Sequence, residues 1–445
     1  MFFWITMNKL ITKVCHILGK NGAQLPGYFV YDVFKRKNIL EKVKYPQIVI
    51  AVTGSSGKGT TCSILKHILE DSNLTVSYND SGNNGILGVT THILNNCDNH
   101  GHFKKQVLIL ECDERHLKLI FRKNKPTYLI VTNITRDQPA RNGNPEIIFN
   151  EISKCLDDSI HLIINADDPL VNRFKLYHHG PITTYGISKT KDDYEVNTIN
   201  NVDFAYCPVC HKKLVYTYYH YGHLGNYHCP NNDFSRGNVD FEATMVDLPH
   251  SKIIIDNKEI KLNKNALYNV YATLAAYACA SIINIPNEAI LYALNQDIML
   301  TKRGKTEKLG NRNITMLESK NENNLSYYQS IKYIINEPGL KTIILGFDNV
   351  SRRYKLNDLS WLYDVNFELL ANNKQVDKIF CIGRFRYDVA TRLNYAGIEK
   401  NKIILIDDLN NLLKEVETKS SGNIYTMVCF DMTSIIKKLV QNENN

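Results

Sequence analysis

No low-complexity tract, no repeat at a solenoid period and no Gly/Ser-rich linker interrupts this sequence. A repeat array and a string of domains on flexible tethers are thereby excluded. An apolar run long enough to cross a bilayer is also missing. The opening MFFWITM is broken by Asn8 and Lys9, and a span needs about 20 apolar residues. The same opening lacks the basic-then-apolar order of a signal peptide. Strong charge of either sign is absent too: 53 Lys and Arg against 45 Asp and Glu give +8. That bias does not argue for nucleic acid by itself, but it suits anionic substrates or an anionic membrane surface. What is present is ordinary for a globular chain, 44% hydrophobic and 22% charged, so disorder and a fibrous fold are excluded. At roughly 100–200 residues per domain, 445 residues predict two to four domains, with three the central expectation.

The 11 cysteines are scattered and odd in number, without a disulfide-dense layout. That points to reduced thiols and the cytosol. Eight of them (Cys15, Cys62, Cys97, Cys112, Cys155, Cys279, Cys381 and Cys429) read as buried thiols, and Cys207, Cys210 and Cys229 form a cluster. Near the start, Ile11, Val14, Cys15 and Leu18 fall at helical spacing with Lys9, Lys13 and Lys20 between them. This predicts an amphipathic helix docked on the core in preference to a membrane foot.

From about residue 46, apolar strand-like runs alternate with helical segments. The strands read QIVIAVTG (47–54), VLILEC (107–112), YLIVTNI (128–134) and HLIINADD (161–168), with helices from Lys58 and Pro145. Continuous apolar strands separated by helices predict an α/β fold with a parallel sheet covered on both faces. Residues 201–237, rich in Tyr, His and Cys, read as an inserted module. A helix is expected from about Lys264 to Ile283, and a second alternating series after Gly304 predicts a C-terminal Rossmann-like α/β domain. The expected division is a lead segment (1–45), a central domain (46–300) carrying the insertion at 201–237, and a C-terminal domain (301–445).

The sharpest motif is strand 47–52 running into Thr53-Gly54-Ser55-Ser56-Gly57-Lys58-Gly59-Thr60-Thr61 and then a helix. Glycines let backbone N–H groups turn around phosphate oxygens, and the helix start adds partial positive charge. In this short G-x-x-G-K-x-T form, Lys58 would reach the terminal phosphates and the Thr60 hydroxyl would ligate Mg²⁺. Glu111, with Cys112, Asp113 and Glu114, sits at a strand's C-terminal end, where α/β sheets bind ligands. Glu111 is placed to hold Mg²⁺ or its water, whereas Glu114 reads as a solvated helix start.

The loop, Glu111, TNI-x-RDQ (Thr132–Gln138), NADDP (Asn165–Pro169) and YN-x-Y-x-x-LAA (Tyr268–Ala276) together resemble the Mur ligase family. The RDQ form, the cysteine insertion, DLSWLYDVNFE (358–368) and IGRFRYDVATRLNYAG (382–397) look like the MurT-type branch, from about residue 25 to about 430. The resemblance implies an ATP- and Mg²⁺-dependent carbon–nitrogen ligase subunit of peptidoglycan synthesis. It would work at the inner face of the membrane with a GatD-type glutamine amidotransferase, which supplies ammonia to amidate the D-glutamate α-carboxyl of lipid II. It implies nucleotide contact by Asn269, while the family's next Asn is Ala272 here. It also implies that a C-terminal acid completes the partner's Cys-His pair. Asp358 is the match, with Asp364 second, although VSRRYKLN (350–357) replaces the family's Ala-Asp-Gly loop and Asp358 reads equally as a helix N-cap.

CPVC (207–210) and Cys229-Pro230-Asn231-Asn232 nearly form a CxxC…CxxC zinc ribbon, with Asn232 where the fourth Cys would stand. His228, His211, His223 or Asp233 would supply the fourth ligand; an open site or a zinc-free module held by its tyrosines are the other readings. The few lysines nearby (Lys212, Lys213) argue against nucleic acid as a partner. Two further functions stay open at the sequence level. One is a divergent MurT-like paralogue that binds nucleotide or a partner without amidating. The other is a Mur-type ligase that adds an amino acid, such as a folate polyglutamate ligase.

Overall fold

The computed structural model describes residues 1–80, 82–136, 143–196, 206–263, 266–296, 305–317, 324–348 and 358–443. Asp137 and Gln138, the Pro139-Ala140 step after them, residues 201–205 and the VSRRYKLN segment lie outside these. The chain divides into two compact units. The first is drawn from Met1–Ile134, Glu146–Glu195 and Phe204–Leu300, and the second from Thr301–Asn445 together with the described residues of Thr135–Pro145 and Val196–Asp203.

The first unit is built on a nine-stranded sheet. Its strands are β1 (Ile48–Thr53), β2 (Val76–Tyr78), β3 (Val107–Glu111), β4 (Tyr128–Val131), β5 (His161–Asn165), β6 (Ile182–Ile187), β9 (Phe241–Asp247), β10 (Lys252–Ile255) and β11 (Lys258–Lys261). They lie in the order β11-β10-β9-β6-β5-β4-β1-β3-β2. Neighbours from β2 to β9 pair in parallel, and the β10–β11 hairpin adds an antiparallel edge. The apolar runs are continuous because both faces are covered. Val49 and Ala51, Leu108 and Leu110, and Leu129 and Val131 share a core with Ile5, Val89 and Ile93. The side chains between them point the other way, as the two-residue period of a strand requires. There α2 (Lys58–Asp71) and α5 (Leu267–Ile282) pack against the sheet and along each other. Helices α1 (Phe2–Ile17), α3 (Ile86–Asn95) and α4 (Pro145–Ser153) complete this unit with α6 (Asn287–Asn295). Strand order reverses at β1, whose two neighbours are β3 and β4, so the crevice beyond its carboxyl end is the topological switch point.

The cysteine module belongs to the same unit as an antiparallel hairpin of β7 (Val215–Tyr221) and β8 (Leu224–His228). Tyr194 stacks on Tyr219 and Tyr219 on Tyr216, with centroids 5.6 and 4.1 Å apart. A buried network anchors the hairpin to the sheet. Asp167 accepts from Arg236 Nε (2.5 Å) and Tyr271 Oη (2.8 Å), and Tyr227 Oη donates to Ala166 O (3.0 Å). The NADDP motif thus joins β5, the module and α5.

The second unit holds a six-stranded sheet in the order β12-β13-β17-β14-β15-β16. Its strands are β12 (Lys305–Leu309), β13 (Arg312–Met316), β14 (Lys341–Gly346), β15 (Val376–Ile382), β16 (Ile403–Leu405) and β17 (Asn423–Val428). All neighbours are parallel except the β12–β13 hairpin. Helices α7 (Asn324–Asn336), α8 (Arg386–Tyr395), α9 (Leu412–Lys419) and α10 (Phe430–Glu443) lie between and after the strands. Its core includes the aromatic group of Tyr327, Phe347 and Trp361. Among the described residues no helix is long and apolar enough to cross a membrane.

Candidate phosphate-binding site and cysteine cluster

The loop from Gly54 to Gly57 joins β1 to α2, and the end of β4 fixes its shape. Ser55 N donates to Asn133 O (2.8 Å), Ser56 N to Asn133 Oδ1 (3.1 Å), and Asn133 Nδ2 returns a bond to Ser56 O (3.1 Å). Thr132 Oγ1 donates to Ser56 O at 2.6 Å. Gly54 has φ +124°, and a Cβ there would collide with Thr132 Oγ1, so only glycine fits. Gly57, at φ +83°, is the residue from which α2 starts.

Lys58 folds back over its own loop. Its Nζ donates to Gly54 O and sits 2.7 Å from Glu114 Oε1, and both side chains are buried. The expectation that Glu114 is a solvated helix start is therefore wrong. The residue is 3% exposed because it is the counter-ion of Lys58. Burial pushes its carboxyl pKa up, and the Lys58 charge works against that rise.

Glu111 ends β3 beside the first turn of α2. Its Oε1 accepts from Asn84 Nδ2 (3.1 Å) and its Oε2 from Tyr78 Oη (3.3 Å), while Asn79 brackets its backbone N and O at 2.8 and 3.0 Å. A Cβ on Gly59 would lie 2.9 Å from Glu111 Oε2, so the carboxylate abuts the turn that carries Thr60. A threonine hydroxyl and a carboxylate oxygen are hard donors of the kind Mg²⁺ takes. Tyr78, Asn79 and Asn84 escaped the sequence reading. The three-residue strand β2 gives no periodic signal, and only the Asn79-Asp80 turn chemistry marks its end.

Asn269 lies near the start of α5, fully buried, and among the described residues neither its Oδ1 nor its Nδ2 has a hydrogen-bond partner. An unpaired buried amide costs roughly 1–3 kcal/mol. A side chain kept in that state fits a ligand contact, which is the role the resemblance implied. Thr61 Oγ1, in the first turn of α2, is likewise buried without a partner among the described residues.

The cysteine cluster brings a fourth candidate ligand beside its three thiols. Ligand atoms of Cys207, Cys210, Cys229 and Asp233 all lie within 4.8 Å of one another. Cys210 Sγ is 3.4 Å from Cys229 Sγ, and Cys229 Sγ is 3.7 Å from Asp233 Oδ2. Val209 N and Asn231 N donate to Cys207 Sγ and Cys229 Sγ at 3.4 and 3.3 Å, and His211 and Asn232 both have φ +60°. Two similar turns therefore present the group, and the second offers Asp233, one residue beyond the slot that Asn232 fills. The alternatives His228, His211 and His223 are not in the cluster. Among the described residues no cysteine is in a disulfide, and the eight outside the cluster are buried.

In the second unit, Asp358 Oδ1 accepts from Ser360 N at 2.8 Å, one residue ahead of the N-cap position, which Leu359 occupies. Asp364 is 3% exposed and paired with Arg136 at 3.1 Å. The structure brings Lys58, Thr60, Thr61 and Glu111 to one strand-end cluster, and it keeps the three cysteines in another.

A parallel sheet with this loop at its switch point, a loop lysine and a carboxylate beside the first helical turn fit an ATP-dependent ligase of the Mur type. Residues 52–235 match the Mur ligase middle domain, and residues 321–432 match the MurT ligase C-terminal domain. The chain resembles the MurT type of that family over both domains. It is 26% identical over 98% of its length to the lipid II isoglutaminyl synthase (glutamine-hydrolyzing) subunit MurT of Staphylococcus aureus (strain COL), covering 96% of that protein. The similarly named subunit of Streptococcus pneumoniae (strain ATCC BAA-255 / R6) is 26% identical over 92% of this chain and 90% of its own. In fold the chain is similar to a pseudomurein peptide ligase type C from Methanothermus fervidus, with TM-score 0.63 and 21% identity over 91% of this chain and 80% of that one. MurF from Acinetobacter baumannii gives TM-score 0.61 at 17% identity over 91% and 78%.

Proposed function

We propose that this chain is the ligase subunit of a lipid II isoglutaminyl synthase. It would act at the cytoplasmic face of the membrane, with ammonia delivered by a GatD-type glutamine amidotransferase. The D-glutamate α-carboxylate oxygen of the stem peptide attacks the γ-phosphorus of ATP, and ADP leaves. Ammonia then attacks the acyl carbon, inorganic phosphate departs with the former carboxylate oxygen, and a proton is released from nitrogen. A carboxylate is a poor electrophile, so the protein's work is positioning and charge neutralisation.

In this reading Lys58 leaves Glu114 and Gly54 O to meet the phosphates, and the N–H groups of Gly57 to Thr60 line them. Asn269 contacts the nucleotide. Thr60 and Glu111 would hold Mg²⁺, which when bound neutralises charge on the phosphate oxygens. Asp358 is the acid offered to the partner's histidine. The Cys207, Cys210, Cys229 and Asp233 set would hold Zn²⁺ as a closed structural site. Four donors around a tetrahedral zinc at roughly 2.0–2.3 Å lie between 3 and 4 Å apart, close to the spacings of the cluster.

The observation that carries the reading is the presence on one chain of a formed phosphate loop, with Lys58 and Glu111 at its rim, and the C-terminal domain of MurT ligases. The test is ATP- and glutamine-dependent amidation of lipid II by the chain co-purified with its glutaminase, read by mass spectrometry. Nucleotide binding without amidation, from glutamine or from ammonium, would overturn the ligase reading in favour of a non-amidating relative. Turnover with a free amino acid as acceptor would overturn the choice of substrate.

A further inference from the structure

Helix α1 turns polar groups inward beside Trp4 and Met7, which are partly buried against the core. Asn8 is fully buried, its Nδ2 donating to Thr91 O at 3.2 Å and Asn95 Oδ1 at 2.9 Å, and Lys9 Nζ donates to Cys97 O at 2.6 Å. Only Ile5 and Cys15 accompany Asn8 into the interior. At about 100° per residue, Phe3, Leu10, Val14 and Ile17 fall within roughly 60° of one another on the opposite side. They are 62, 60, 45 and 83% exposed. The helix is docked on the core as its spacing predicts, but of the periodic residues only Cys15 is buried, and Val14 and Leu18 are exposed. The patch continues at its N-terminal end. Trp4 packs on Phe34 with centroids 5.3 Å apart, the Arg36 guanidinium lies 4.6 Å over the Trp4 ring, and Val33 and Phe34 are exposed.

Charge gathers on the same segment. Residues 1–37 contain six Lys and Arg against one Asp, a net +5 of the chain's +8. Lys13, Lys20, Lys35, Arg36 and Lys37 are all exposed.

We propose that the outer face of α1, with Phe34 to Lys37, docks on an anionic lipid bilayer, the helix lying in the plane of the interface. An apolar stripe along a helix flanked by cations is the pattern that buries its hydrocarbon at the acyl boundary while its charges meet lipid phosphates. A second copy of the chain would set +5 against +5. A bilayer brings a flat apolar layer and the opposite charge. The proposal rests on the reading above, in which the carboxylate substrate is membrane-anchored, and it adds how the enzyme is held in the substrate's plane.

The test is co-sedimentation of the full chain with phosphatidylglycerol/phosphatidylethanolamine vesicles, against vesicles of phosphatidylcholine alone. The expected result is preferential pelleting with the anionic vesicles that weakens as salt rises. Leu10→Glu and Ile17→Glu should each lower partitioning by about tenfold or more. Lys35→Gln with Lys37→Gln should lower it by roughly fivefold per charge at low salt. Nucleotide affinity and thermal melting should not change, because all four side chains are exposed. No pelleting, or pelleting that ignores lipid charge and these variants, would overturn the proposal. So would a wild-type dimer that Leu10→Glu makes monomeric, or loss of the glutaminase from the co-purified complex in that variant. Amidation of detergent-solubilised lipid II separates the two readings. Activity there without vesicle binding sinks only the docking surface, whereas α1-dependent vesicle binding without amidation sinks only the ligase assignment.

Discussion

The phosphate loop and the cysteine cluster are both built from tight turns, yet they are held by different things. The loop is gripped from outside itself: Asn133 and Thr132 at the end of β4 fix Ser55 and Ser56, and residues at the end of β2 fix Glu111. The cluster's thiols touch mainly one another and two N–H groups of their own turns, over a small core of Leu214, Tyr227 and Phe234. The first site is therefore preorganised by a large sheet and keeps its shape before its ligand arrives. The second depends for its shape on what the four ligand groups bind, because so small a module buries little apolar surface of its own.

Substitutions that remove ligand-facing groups sharpen this contrast most. Lys58→Ala should lower ATP-dependent turnover by roughly 10²- to 10³-fold, the usual loss when a preorganised charge-stabilising group is deleted. The chain should still fold, because Asn133 and Thr132 hold the loop. Steady-state kinetics beside circular dichroism checks both, and near-normal turnover would remove the loop from the mechanism.

The cluster should respond in the opposite sense, losing structure before activity. Asp233→Ala should weaken metal affinity by more than the 10- to 100-fold typical of an outer-shell partner, and expose residues 206–236 to proteolysis. Asp233→Cys should hold zinc at least as tightly, since thiolate is the softer ligand. Elemental analysis of the purified chain with limited proteolysis reads this, and a wild-type protein without stoichiometric metal would leave the cluster as packing alone.

Asn269→Ala sits between these extremes. Nucleotide affinity should fall by about tenfold, the value of one good polar contact. Thermal stability without nucleotide should not fall, because the amide removed is buried and has no partner among the described residues. Calorimetry and thermal melting separate the two effects; a large loss of stability would mean Asn269 is structural.

The same contrast governs what was legible beforehand. The loop and its strand could be read directly, because Gly54 to Thr61 are contiguous and the β1 run is apolar throughout. The five strands of the C-terminal parallel series stood out for the same reason. Glu114 was misread because its partner lies 56 residues away, and a charge pair at that separation leaves no local pattern. Strand β2 was too short to show a period. The fourth member of the cluster was left open among several residues, since a slip of one position in the second turn, from Asn232 to Asp233, is decided by backbone conformation and not by spacing. The outward apolar face of α1 was hidden because helical periodicity gives a stripe without saying which side meets the core, and the buried hydrogen bonds of Asn8 decided it.

The smallest expected effect tests whether the loop's preorganisation has a cost. Lys58 is held by Glu114 and Gly54 O, contacts it must give up to reach a phosphate. Glu114 has its pKa raised by burial, so the folded state binds its proton more tightly than the unfolded chain does. Its charged form therefore costs stability as pH climbs from the unfolded value, near 4.3, through the raised folded one, and the Lys58 pairing offsets that cost. Glu114→Gln removes this pH dependence and, because the charged carboxyl costs stability where its folded pKa is raised, should leave the nucleotide-free protein no less stable at neutral pH. Nucleotide, freed of a competing carboxylate, should then bind severalfold more tightly, on the order of 1 kcal/mol, and its stabilising shift in thermal melting should grow. Weaker binding in this variant would mean that Glu114 aims Lys58 at the phosphates and does not compete for it.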